Sequence, residues 1–245
     1  MKKTAIKWLG VLTVSSLLIG CQSAETKVEE NTEVKAKQTV NNPSTESEHK
    51  HSDEHGHDHS HAHDEEAEKI HAGYFEDSHV QERTLSDWEG DWQSVYPYLL
   101  DGTLDEVFEH KAEHKGDKTF EEYKAYYEVG YKTNTERIVI DGNNVTFYEN
   151  GKAYTGEYQT DGYEILNYEA GNRGVRYVFK LVAPADNVPQ YIQFSDHNIS
   201  PTKAEHYHLY WGDDCESLLN EVTNWPTYFP SEMDGHTIAH EMIAH

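Results

Sequence analysis

Basic residues are scarce in this 245-residue chain: 20 Lys and Arg stand against 45 Asp and Glu, for a formal charge of -25. Binding to a phosphate backbone needs a basic footprint, so nucleic acid is excluded as a partner, and cations are attracted instead. Cysteine is scarcer still, at two residues, which excludes a disulfide framework. Long apolar runs are missing, hydrophobic residues make up 36% of the chain, and a multi-span membrane protein is excluded. Nothing in the chain resembles a phosphate loop, a nucleophile elbow or a redox cysteine pair. What the chain has in excess is histidine, with 17 residues against 16 glycines.

The N-terminus holds the one sustained apolar stretch. Lys2, Lys3 and Lys7 form a positive region beside the run Trp8–Ile19, which is too short to span a bilayer securely and reads as a secretory signal. The run ends in Leu18-Ile19-Gly20-Cys21, a pattern that looks like a bacterial lipobox. Residues 1–20 are therefore expected to be a lipoprotein signal peptide. Cys21 is the expected lipidation site, and the mature protein is extracytoplasmic, with acyl chains as its only membrane contact. Cys215 is then a lone thiol, and a partly buried, inert side chain is expected there rather than an activated one.

Residues 21–70 read as a disordered linker, since Ser, Thr, Asn, Glu and Lys dominate and no apolar periodicity emerges. A flexible chain of this length has a root-mean-square reach of roughly 40 Å, enough to hold a domain off a membrane. Within it lies HKHSDEHGHDHSHAHDEE, carrying His49, His51, His55, His57, His59, His61 and His63. Imidazoles at every second position of an extended chain can reach one ion together, and neutral imidazole binds zinc, copper and nickel. Flexibility costs ordering entropy on binding, so this tract reads as a weak, multi-site, poorly selective metal collector.

From residue 71 to 245 aromatic and β-branched residues appear with turn signals, and a folded domain is expected. Ser86 to about Leu100 reads as a helix with a Ser86/Glu89 capping box. Thr103–His114 and Thr119–Tyr131 read as two more helices with threonine caps, and Asp213 to about Val222 as a fourth, capped by Asp213 and Glu216. A terminal helix is expected after Pro230. Seven short strands are expected at Arg137–Ile140, Val145–Glu149, Ala153–Gln159, Tyr163–Tyr168, Val175–Val182, Tyr191–Ser195 and Glu205–Trp211. The pairs Asp141-Gly142, Asn150-Gly151 and Asp161-Gly162 serve as hairpin turns between them. Such a series suggests an antiparallel sandwich or a closed barrel.

The residues richest in chemistry lie late, in YIQFSDHNISPTKAEHYHLYW. His206 and His208, two apart in an expected strand, present imidazoles on one face about 6.5–7 Å apart at Cα. A lone His-x-His pair says little. A third, His197, ends the preceding strand, and an antiparallel hairpin returns it beside the pair. Three histidines on rigid strands in a barrel mouth would make a tetrahedral zinc site with one position open. Asp196 and Glu205 are candidate partners for the imidazole N–H groups. His236, His240 and His245 are candidates for accessory metal binding, and a solvated helix face is the alternative. His236 and His240 have zincin-like spacing, but Thr237 stands where a catalytic glutamate belongs. His110 and His114 read as a solvated helix face, and His71 and His79 border the linker without a decisive reading.

The segments HVQERTLSDWEGDWQSVYPYL, GVRYVF, YIQFSDH, HYH and SLLNEVTNWPTYFP resemble the ZinT (YodA) zinc-binding family over nearly all of 71–245. The resemblance implies a mainly β fold, a lipocalin-like calycin barrel with additional helices. Gly90-Asp91-Trp92 resembles the lipocalin Gly-x-Trp start, whose Trp plugs one barrel end. The implied zinc ligands fall on His197, His206 and His208. The implied function is extracytoplasmic zinc binding, with the ion passing to the solute-binding protein of a zinc-importing ABC transporter. Cadmium, copper or nickel would substitute for zinc in vitro. A monomer is expected. Two other readings stay open from the residues alone: a three-histidine zinc hydrolase or hydratase, and a lipocalin-like carrier of a small apolar ligand.

Overall fold

The computed structural model describes residues 60–244, with side chains from residue 66 onward. The signal peptide, Cys21, His49, His51, His55, His57, His59 and His245 lie outside the described residues, and of His61 and His63 only the backbone is described. Among the described residues six helices and eight strands follow one another. They are α1 (Ser60–His71), β1 (Gly90–Ser94), α2 (Tyr96–Leu100), α3 (Asp105–Lys115), α4 (Phe120–Tyr131), β2 (Thr135–Asp141), β3 (Asn144–Glu149), β4 (Lys152–Asn167), β5 (Arg173–Leu181), β6 (Tyr191–Ser195), β7 (Tyr207–Gly212), α5 (Cys215–Leu219), β8 (Thr227–Pro230) and α6 (Gly235–Ala244). The strands close into one antiparallel barrel in the order β1 to β8, which leaves no free sheet edge.

Local chemistry explains the parts that run as expected. Thr119 caps α4: its hydroxyl accepts from Glu122 N, and Glu122 answers by accepting from Thr119 N at 2.8 Å, a reciprocal box that satisfies two end donors. The β3–β4 hairpin turns on Asn150-Gly151, both at positive φ, as a tight right-twisted hairpin requires. The fold class is the expected lipocalin-like barrel with helices added.

Five expectations are corrected. The helix from Ser86 to Leu100 does not form: Leu85–Trp88 is a 3-10 turn, β1 follows, and only Tyr96–Leu100 is helical. Gly90 at φ +152° turns the chain out of the helical path, and β1 is needed between β2 and β8 to close the barrel. Asp161-Gly162 is no hairpin but a bulge inside the 16-residue β4, because both of its flanks pair with β5, Thr160 with Phe179 and Tyr163 with Tyr177. Thr103 does not cap α3, whose flanking residue is Leu104; its amide donates to Asp101 Oδ1 at 2.9 Å in a turn. The α5 cap is Asp214, accepting from Ser217 N at 2.7 Å, while Asp213 accepts from Gln190 N. The linker, expected to be disordered to residue 70, is helical from Ser60, and Ile70 packs against the barrel core.

Side chains alternate across the barrel wall. Trp88, Tyr177, Phe179, Phe194, Tyr207, Leu209 and Tyr228 fill the interior and are fully buried. Trp92, of the Gly-x-Trp start, joins them and donates its indole N–H to Trp88 O at 2.8 Å. This packing weighs against a hollow carrier of apolar ligands. A second core, with Val95, Leu104, Phe108, Tyr131, Phe229 and Ile238, lies between α2, α3, α4, α6 and the outer face of β8. The barrel thus has one wall backed by helices.

Candidate metal centre

The loop between β6 and β7 is held from below. Arg83, fully buried, donates to Asp196 Oδ1 at 2.6 Å, to Thr202 O at 2.8 Å and to Asp87 Oδ2 at 2.8 Å. Its guanidinium also lies 4.0 Å from the centre of the Trp88 ring. The Asp196 and Asp87 carboxylates overcome the desolvation of this guanidinium and raise its pKa further. Asp196 also accepts from Asn198 N, and Ile199 O accepts from Gln81 N at 2.8 Å. Clamped between these anchors, His197 sits at φ +64°, a left-handed conformation uncommon outside glycine that persists where the surroundings impose it. Asp196 is therefore a loop anchor rather than the imidazole partner expected of it, and Glu205 is exposed.

His206 lies just before β7 and stacks on Phe229, with ring centres 5.0 Å apart and planes 12° apart. His208 lies within β7, between Tyr207 and Leu209. Because those two fill the barrel, His208 must project from the outer wall. The histidines are not in a barrel mouth, as the hairpin argument expected, but on the outer surface, in a cleft of about 270 Å³ beneath the helices.

A chain of hydrogen bonds leads to His208. Thr227, its cross-strand partner, donates its single hydroxyl proton to Trp225 O at 3.0 Å. Thr227 Oγ1 then accepts from His208 Nδ1, 2.8 Å away, when Nδ1 carries the proton, the tautomer in which Nε2 keeps the lone pair that a metal needs. Trp225, stacked on His208 at 6.4 Å, is itself fixed by α4. Its amide donates to Gly130 O at 2.6 Å, and a Cβ on Gly130 would fall 1.4 Å from the indole. Asn224 Nδ2 donates to the carbonyls at the end of the same helix.

His197, His206 and His208 converge: their ligand nitrogens all lie within 4.8 Å of one another. Among the described residues this is the one group of three or more such side chains that close. Their ring centres are 5.6, 6.0 and 6.1 Å apart. Imidazoles sharing a tetrahedral zinc, with Zn–N of 2.0–2.1 Å, have ring centres about 5 Å apart, so small side-chain rotations would close the three on one ion. The rest of the cleft offers aromatic walls. Burial pushes Tyr127 up to about 12 and raises Tyr131 as well, so these phenols stay neutral, and imidazole nitrogen remains the natural donor. Such a set suits zinc.

The other described candidates lie apart. His236 is on the exposed side of α6, 3.8 Å from Glu106, and His240 is exposed one turn on. His110 and His114 stack at 3.9 Å on α3. Cys215 is partly buried, and desolvation raises its thiol pKa, in keeping with an inert side chain. Sequence reasoning missed Arg83, Thr227 and Trp225. They lie in segments quoted for the family resemblance, but nothing in their spacing points to the histidines. It also left His71 undecided, and this residue stands at the edge of the site, its ring centre 4.7 Å from that of His197.

Comparison with known proteins identifies the family and the fold. The family model described as ZinT (YodA) periplasmic lipocalin-like zinc-recruitment matches residues 66–245. The chain is 62% identical over 245 residues to a Bacillus subtilis (strain 168) protein named "Probable metal-binding protein YrpE", with 98% of each covered. It is 44% identical over 182 residues to the "Zinc-binding lipoprotein AdcA" of Streptococcus pneumoniae (strain R6), covering 74% of this chain and 36% of AdcA. The crystal structure of the Zn(II)-bound ZinT-like domain of Streptococcus pneumoniae AdcA superposes with a TM-score of 0.69 at 48% identity, covering 71% of this chain and 97% of that domain. In the structure of Zn(II)-bound AdcA, the match covers 38% of that chain with a TM-score of 0.70.

Proposed function

This chain belongs to the ZinT (YodA) family of zinc-recruitment proteins, and from that premise we propose that it is a lipid-anchored, extracytoplasmic zinc scavenger that passes its ion to a zinc-importing ABC transporter system. Its zinc is held by His197, His206 and His208. The observation that carries this reading is the convergence of three imidazoles within 4.8 Å on a closed barrel, with Thr227 2.8 Å from Nδ1 of one of them. The ion is cargo in this reading, and the protein is a binding protein rather than an enzyme.

The domain layout follows: residues 1–20 as signal peptide, Cys21 as the lipid attachment point, the His49–His63 tract as collector, and the barrel as the tight site. AdcA, a relative named as a zinc-binding lipoprotein, supports the anchor and the extracytoplasmic location. Many weak tract sites raise the local zinc concentration, and their place in the same chain makes transfer to the barrel an effective-concentration process. Deleting residues 49–63 slows loading at low zinc and leaves barrel affinity nearly unchanged.

A hydratase or hydrolase built on the same ion would need a proton acceptor beside it. The described residues lining the cleft that holds the triad include no carboxylate; His71 and Lys111 are the other nitrogen bases there, beside Tyr127, Trp225 and Phe229.

The test is calorimetric zinc titration of the chain with the seven tract histidines changed to Ala, beside the same chain with His197, His206 and His208 also changed to Ala. One tight site is expected in the first and a loss of about a thousandfold or more in the second, equal to some 4 kcal/mol. Equal affinity in the two would overturn the assignment of the ligands.

A further inference from the structure

A second cavity, of about 480 Å³, adjoins the cleft of the triad and shares His197, His208 and Trp225 with it. Its volume falls in the range of small-molecule sites. No aspartate or glutamate stands among its described lining residues, although the chain has 45 of them. Two guanidinium groups, Arg173 and Arg176, line it instead. In so acidic a chain, a cavity with cationic walls and no carboxylate is suited to an anion.

The two arginines differ in what neutralises them. The chain has four arginines. Arg83 pairs with Asp87 and Asp196, Arg137 with Asp91 and Arg173 with Asp77. Arg176 has no ion pair among the described residues, yet it is only 1% exposed. Its contacts are neutral. Nη2 donates to Glu221 O at 3.0 Å, the guanidinium lies 3.2 Å from the centre of the Tyr210 ring, and Tyr168 is a further hydrogen-bond partner. Its Nε has no partner among the described residues. The carboxylate of Glu221 accepts instead from Thr223 N and Asn224 N, and Glu164, the cross-strand neighbour of Arg176, is exposed. A buried charge without a counter-ion is strongly destabilising. Desolvation pulls the Arg176 pKa below its ordinary value. At Arg83 the same desolvation is outweighed by two carboxylates, and the pKa rises.

The walls select among anions. Val175, Ile199 and Val222 offer apolar surface for a carbon skeleton, and Asn172 and Ser195 offer neutral donors. No described helix begins at the cavity, so the usual cradle for a phosphate is missing there. A planar guanidinium matches a carboxylate. We propose that this cavity binds a small organic carboxylate, with Arg176 as its cationic anchor. The site goes beyond zinc recruitment and stands whether or not the triad holds zinc. An ion held on the shared wall would gain from the added negative potential, and the two ligands would then strengthen each other reciprocally.

The test is calorimetric titration of the full mature chain, metal-free at about pH 8 so that the imidazoles are neutral, with succinate as the probe. Wild type is compared with Arg176→Met, with Val222→Glu and Val222→Gln, and with a chain carrying His197→Ala, His206→Ala and His208→Ala. Val222 is 57% exposed where it lines the cavity, so the fold tolerates a polar side chain there, and a glutamate repels the anion. Saturable one-to-one binding is expected in wild type, in Val222→Gln and in the chain without the triad. Affinity should fall about tenfold or more in Arg176→Met and about threefold or more in Val222→Glu, and uncharged succinamide should not compete. If Arg176→Met does not fold, Val222→Glu against Val222→Gln decides. The proposal is overturned if succinate shows no saturable binding at tens of millimolar, or if the folded variants bind it like wild type. Tighter binding of inorganic phosphate than of succinate would overturn the carboxylate class. Loss of succinate binding in the chain without the triad, beside full binding in Arg176→Met, would place the anion at the histidines and sink the role of Arg176. Zinc titration of the same chains reads the triad separately, so neither result stands in for the other.

Discussion

On one face of β7, Tyr207 and Leu209 are fully buried among the aromatics that fill the barrel. On the other face of the same strand, His208 meets Thr227 and Trp225, and Tyr210 lies under the guanidinium of Arg176 at 3.2 Å. Six residues of backbone therefore serve two environments. The inner face supplies apolar burial, which is insensitive to direction. The outer face supplies oriented donors and acceptors, whose value depends on angle and tautomer. A closed barrel lets the two be changed separately, because the inner packing fixes the backbone on which the outer site is measured out.

The largest effect expected from breaking this division is at Arg83, which belongs to both sides. Arg83→Met leaves Asp196 buried without its counter-charge and should cost about 3–5 kcal/mol, read as a fall in the denaturation midpoint. Zinc affinity should fall with it, because the loop carrying His197 loses its anchor. Unchanged affinity in the folded protein would show that the clamp serves stability alone. Next is the inner face by itself. Leu209→Ala should cost about 2–4 kcal/mol of stability while the folded protein still binds zinc as tightly as wild type. A parallel loss of affinity would mean that the two faces are not separable.

The outer face by itself is tested at Thr227. Thr227→Val removes the acceptor for His208 Nδ1–H and should weaken zinc binding about tenfold, near 1.4 kcal/mol, as measured by chelator competition. Thr227→Ser, which keeps the hydroxyl, should bind like wild type. The smallest effect is expected at Thr119, remote from both faces. Thr119→Ala deletes the α4 cap and should cost about 1 kcal/mol with no change in zinc affinity. If affinity did drop, α4 would be linked to the site more tightly than through Gly130 and Trp225.

Legibility in the sequence followed the range of the interactions. The α4 capping box, the Asn150-Gly151 turn and strands β2, β3 and β6 rest on residues within a few positions of one another, and all were readable. Strands β1 (GDWQS) and β8 (TYFP) carry little apolar alternation of their own, and they exist because they pair with each other across more than 130 positions. Asp161-Gly162 has the composition of a hairpin and became a bulge because β5 was long enough to pair with both of its flanks. At the site, the His206–His208 spacing and the return of His197 were readable. The wall they stand on was not, since a two-residue period defines two faces without saying which one is inside.

The sequence by itself determined the inventory of this protein: an acidic chain rich in imidazole, a histidine tract, a family-specific set of segments, and three histidines close enough in the chain to meet. Tertiary structure alone decided the use of that inventory. It set the triad on the outer wall, twisted His197 into a left-handed conformation under the Arg83 clamp, placed Thr227 against His208 Nδ1, and brought the His71 ring centre to 4.7 Å from that of His197. The physical reason is that donor identity is a property of a residue. Convergence, tautomer and desolvation are properties of the space between residues, and only closure of the barrel defines that space.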